Sequence, residues 1–212
     1  MPGFGDISHR KLRKFAIFST NSNSHMPRQK LSDELKEAIS RLPGKEKDKL
    51  LFRLVAKDEA LVEKLSYQLL EGSATQEERR EDLKKHIQQT LREEAEHFYS
   101  PGYLLLDLRS ISGQINRHVK TTRDKYGEIE LNLFMLNYTL QLHSHKVERF
   151  SKGRRRTLDK YIIQRVAKLH KLLDKLHEDY QLDFEEDFEK LHRQLRQDEI
   201  LAKMGKEAGL EV

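Results

Sequence analysis

The chain has 212 residues, a formal charge of +5, 36% hydrophobic and 35% charged residues, and no cysteine or tryptophan. That length allows one well-formed core or two small ones. Missing cysteine excludes disulfides and thiolate metal sites. No apolar run nears the roughly 18 residues of a membrane span, so no membrane partner is expected and the chain reads as cytoplasmic.

Mean hydropathy is −0.81, but the apolar residues fall in stripes, which indicates amphipathic helices and not disorder. Residues 1–25 read as a disordered leader or upstream extension. They hold Arg10, Lys11, Arg13 and Lys14 against Asp6, so most of the net charge lies there. The balanced remainder gives little support for a polyanion partner from bulk charge. Residues 26–212 read as one all-α domain, with short helices over 31–72 and longer ones over 75–205.

Ser32 before Asp-Glu-Leu is an N-cap, opening a helix that Pro43-Gly44 stops. Leu50, Leu51, Leu54 and Val55 mark a second short helix. Asp58 caps a third, ended by Gly72. Thr75 and Glu78 form a capping-box pattern before Leu83, Ile87, Leu91, Ala95 and Phe98. After the break at Pro101-Gly102, Leu104, Leu108, Ile111, Ile115 and Val119 define the next helix. Gly113 within it reads as a close helix crossing.

The next segment is the most informative. Leu131–Leu142 is twelve residues without a charge. As a helix it is apolar on two faces: Ile129, Leu133, Leu136, Leu140 and Val147, and opposite them Leu131, Phe134, Met135, Tyr138 and Leu142. Such a helix needs neighbours on both sides. The expected fold is therefore an antiparallel bundle of about eight helices around a buried central helix at about 127–150. Alternation in Ile129–Leu133 and Leu136–His143 also fits a hairpin, but no turn residue stands near Phe134 and Met135. Gly153 precedes the helix bearing Leu158, Ile162, Val166 and Leu169. A last helix carries Phe184, Phe188, Leu191 and Leu195.

Two Glu-x-x-His pairs, Glu94/His97 and Glu189/His192, suggest a bridged di-metal site, with Glu63 and Glu148 as the two further carboxylates. Helical geometry turns Glu189 away from its apolar stripe, so no transition metal and no cofactor are expected. Glu77-Glu78-Arg-Arg-Glu81 has the form of the first acidic motif of all-α nucleoside-triphosphate pyrophosphohydrolases. The second motif is missing: Glu93 and Glu96 end in Glu and fall on the same helix. Glu185-Glu186-Asp-Phe-Glu189 likewise lacks a following partner motif. These runs read as solvated faces with local ion pairs. His143, on the central stripe, reads as a hydrogen-bonded packing residue.

The stretch LKEAISRLPGKEKDKLLFRLVAKDEALVEKLSYQLLE, residues 35–71, resembles the start of an uncharacterised bacterial all-helical family. Some of its members carry a dUTP nucleotidohydrolase label. The resemblance implies an all-α fold and includes no motif tied to chemistry, so no residue role follows from it.

Charge runs remain. Residues 146–160 hold seven cations against two acids; 117–125 hold four against one; 178–189 hold seven acids. In an antiparallel bundle the acidic run shares an end with Arg117–Lys125 and can neutralise it, leaving Arg154–Arg156 unbalanced. The expected partner-binding residues are Arg149, Lys152, Arg154, Arg155 and Arg156, for an acidic protein segment or a polyanion. The expected function is non-enzymatic binding of a macromolecular partner. The alternatives are a dUTPase-like pyrophosphohydrolase and a nucleic-acid binder using the basic inter-helix loop.

Overall fold

The computed structural model describes residues 30–210, and all regular structure among them is helical. Residues 1–25, read above as a leader, lie outside the described residues. The chain divides into two compact units, Met1–Asp48 and Lys49–Val212.

In the first unit, α1 (Asp33–Arg41) starts at Ser32, whose hydroxyl accepts from the Leu35 amide. No residue of α1 is buried. The chain then enters α2 (Gly44–Val55), within which the division falls, and no residue of α2 is buried either.

The second unit holds the core. Asp58 caps α3 (Glu59–Ser66), accepting from Leu61 N at 3.1 Å. A π turn over Tyr67–Glu71 ends at Gly72, where φ is +66°, a conformation that glycine adopts without Cβ strain. A 3-10 turn, Gly72–Thr75, leads directly into α4 (Gln76–Glu96). The expected capping box does not form. Thr75 already has φ −97° and ψ 0°, and its hydroxyl donates to Glu71 instead. Pro101 begins α5 (Pro101–Thr122); its missing N–H costs nothing at a helix start.

Helix α6 (Lys125–Val147) starts two residues before Gly127. Its N-cap is Asp124, which accepts from the Gly127 amide at 2.8 Å. There follow α7 (Lys152–Leu173), the short α8 (Glu178–Gln181), α9 (Glu185–Gln197) and α10 (Glu199–Glu207). The expected single last helix breaks at Asp198, which turns extended and caps α10 through Ile200 N and Leu201 N.

The two-faced segment is helical throughout and no hairpin forms. Helix α6 packs against α4, α5, α7 and α9. Ile129, Leu133, Leu136 and Leu140 are buried on one face, Leu131 and Met135 on the other. Of its buried polar groups, Asn132 Nδ2 donates to Glu128 O at 2.7 Å, Asn137 Nδ2 to Asp187 O at 3.0 Å and Thr139 Oγ1 to Met135 O at 2.7 Å, while Asn137 Oδ1 accepts no hydrogen bond from the described residues. Gly113 is not a crossing point, since a Cβ there would meet nothing within 4 Å. No helix among the described residues is long and apolar enough to cross a membrane.

Candidate binding surface at the basic end

Helix α7 begins against the usual rule. A helix N-terminus carries partial positive charge and favours acids. The first turns of α1, α4, α6, α9 and α10 each contain at least one acid, while that of α5, which opens on Pro101, has neither acid nor base. That of α7 contains no acid, and instead holds Lys152, Arg154 and Arg155, with Arg156 next in the chain. Ser151, at its N-cap position, makes no side-chain capping bond.

The structure separates these cations. Arg155 does not belong to the expected surface: it is 3% exposed. Its Nε donates to Asp159 Oδ2 at 2.8 Å, and its Nη2 to Asp198 Oδ2 at 2.5 Å. Burial pulls the guanidinium pKa down, but the bonds to Asp159 and Asp198 outweigh it, so Arg155 ends above its ordinary value. Burial pushes the Asp159 carboxyl up, against the pull of Arg155. Arg155 therefore ties α7 to the start of α10. Asp159 and Asp198 did not figure among the expected residues.

Arg149, Lys152, Arg154 and Arg156 stand exposed, as does Lys160. Beside Arg149 lies a surface hollow of about 460 Å³, lined by Ala95, Glu96, Phe98, Lys146, Arg149 and Phe150. The Phe98 and Phe150 rings meet edge-on at 5.9 Å. Lys146 lies 6.0 Å from the Phe98 ring and donates to the Ala95 carbonyl. The hollow thus joins aromatic surface to a rim with two cations, Lys146 and Arg149, and one acid, Glu96.

Behind Phe98 is a buried pair. His143 is 1% exposed, with Nδ1 3.1 Å from Thr139 O and Nε2 against Glu94 Oε2. His143 is thus a bonded packing residue. Burial first, then Glu94, pushes the nearby Asp107 carboxyl up.

The other end is arranged differently from expectation. The acidic run does start there: Tyr126 packs on Tyr180 at 5.9 Å and on Phe184 at 4.7 Å. It does not neutralise Arg117, which pairs with Glu59 at 2.8 Å and Glu63 at 2.5 Å on α3. Those bonds raise the Arg117 pKa further. Lys120, Arg123 and Lys125 remain exposed. Arg80 takes the carboxylates at the start of α6, Asp124 at 3.5 Å and Glu130 at 3.3 Å.

The acidic motifs are consumed locally. Glu77 pairs with Arg80, and Glu81 with Lys84 at 2.8 Å. Glu93 and Glu96 lie further along the same α4. Glu189 is exposed, while Glu94 faces His143. Among the described residues no group of three or more His, Asp or Glu could hold a metal ion. In comparisons with known proteins, no family model, no curated protein and no solved structure matches the chain.

Proposed function

We propose that this chain is a non-enzymatic binding protein whose basic end takes an acidic segment of a partner protein. The observation that carries the reading is the α7 N-terminus, with exposed Lys152, Arg154 and Arg156 and no acid in its first turn. A helix start that repels its own side chains is stabilised by an incoming carboxylate, which the dipole and the arginine forks both favour. The Phe98–Phe150 hollow adds a place for one apolar side chain of that segment. This combination of a few cations and one aromatic hollow suits a short acidic-apolar peptide better than a long phosphate backbone.

The test is fluorescence anisotropy with a labelled Asp/Glu-rich peptide carrying one Leu or Phe. Three exposed ion pairs at about 0.5 kcal/mol each amount to roughly tenfold in affinity. The variant R149Q/R154Q/R156Q is expected to bind about tenfold more weakly with an unchanged melt. Equal affinity of the two proteins, or preference for a single-stranded RNA of similar length, overturns the reading.

A further inference from the structure

Two imidazoles meet between α7 and α9. His170 Nε2 lies 3.1 Å from His192 Nε2, and the two ring planes are within 14° of parallel. Both residues are half-buried. Their rings back onto the buried Phe188, at 5.0 Å for His170 and 6.1 Å for His192. Packing on that ring restricts both side chains, so little freedom is left to lose when a ligand takes them.

The separation is close to the one a metal imposes. Zinc stands about 2.0–2.1 Å from an imidazole nitrogen, so two such nitrogens at the tetrahedral angle are about 3.3 Å apart. Imidazole suits zinc, copper and nickel alike. The charges favour a dication too. Helix α9 opens with Glu185, Glu186, Asp187 and Glu189, all within about two turns of His192.

We propose that His170 and His192 together take a borderline divalent metal ion, zinc or copper, which clips α7 to α9. No third His, Asp or Glu joins them among the described residues, so water completes the shell. In the metal-free pair one Nε2–H donates to the other Nε2. The ion needs both lone pairs. The donor ring therefore shifts its proton from Nε2 to Nδ1, and both imidazoles stay neutral. This site differs from the bridged centre suggested by the Glu-x-x-His pairs, since only His192 belongs to both. It shares no residue with the basic end of α7, so it stands or falls apart from the binding reading above.

The test uses the full, untagged chain, stripped with EDTA and dialysed. Titration calorimetry with Zn²⁺ should show a single saturable site. Cu²⁺ should bind more tightly, and Mg²⁺, which prefers oxygen ligands, should not bind. With free Zn²⁺ at about a hundredfold its Kd, the melting temperature should rise by roughly 5–10 °C. H170Q and H192Q should each lose that rise, while H145Q, at a histidine 94% exposed, should keep it. If either substitution unfolds the metal-free chain, nitrogen NMR of the wild-type histidines gives the same reading: the Nε2 signals of His170 and His192 should move when Zn²⁺ is added. Zn²⁺ binding that survives both substitutions, unmoved Nε2 signals, or no saturable binding at all overturns the proposal.

Discussion

Arg155, in the first turn of α7, donates to Asp198, the N-cap of α10, at 2.5 Å. The same guanidinium holds Asp159 one turn along its own helix. Losing one partner of a buried, hydrogen-bonded pair leaves the other charge uncompensated and costs about 3–5 kcal/mol. Arg155→Gln should therefore lower the melting temperature by roughly 6–20 °C in a domain of this size. Arg154→Gln and Arg156→Gln should each stay within about 0.5 kcal/mol of wild type. Thermal melts of the three variants side by side check the contrast; a mild Arg155→Gln would contradict the buried assignment.

The acid sensitivity of the fold should depend on Asp124. Burial pushes its carboxyl up, but His118, the Gly127 amide, Gln76 and Arg80 together bring it from the ordinary 3.8 to about 2. A depressed carboxylate pKa stabilises the fold above the unfolded value and loses that contribution as pH falls towards the folded one. The contribution is about 2 kcal/mol, lost between roughly pH 4 and 2. Asp107 and Asp159 are shifted upward and act in the opposite sense, so the difference between wild type and Asp124→Asn is the informative quantity. Denaturant unfolding of both proteins should show a gap at pH 6 that closes by about pH 2.

Gly127 should not tolerate alanine. A Cβ there would stand 2.6 Å from Arg80 Cδ and also collide with the Asp124 carboxylate. Alanine favours a helix over glycine by about 1 kcal/mol, but overpacking costs about 1–3 kcal/mol. Here it displaces the cap of α6 and its ion pair together. Gly127→Ala should melt below wild type. Gly113→Ala, which meets nothing within 4 Å, should melt above it.

Glu94 and His143 should behave as one unit. Glu94→Leu leaves the imidazole without its carboxylate, and His143→Leu leaves the carboxylate without its imidazole. Each single change should cost about 1–3 kcal/mol, while the double change should cost less than the sum of the two. A double-mutant cycle by chemical denaturation measures the difference. Additive losses would mean that the two side chains do not support each other.

The central helix was legible because charge-free periodicity on two faces has one helical solution, a helix surrounded by others, and α6 has neighbours on four sides. The starts of α3 and α1 were legible because Asp58 and Ser32 are local caps. Thr75 misled because the capping motif needs an extended N-cap residue, and the preceding turn denies it. Half of the Arg155 result was within reach. Arg155 lies three residues before Leu158 and seven before Ile162, on the buried stripe of α7, with Asp159 at i+4; Arg154 and Arg156 fall off that stripe. The other half was not, because Asp198 lies 43 residues away in sequence. The hollow at Phe98 and Phe150 was hidden for the same reason, since α4 and the α6–α7 junction meet only in the fold.

The central claim is that exposed cations at the start of α7 bind an acidic partner. Its most direct test is the affinity for the acidic peptide across a salt series from about 50 to 300 mM, over which screening shortens to a few ångströms. Wild type should bind most tightly at low salt and weaken steadily, and R149Q/R154Q/R156Q should be weaker at low salt and converge with it at high salt. Two proteins whose affinities coincide at every salt concentration would contradict the account.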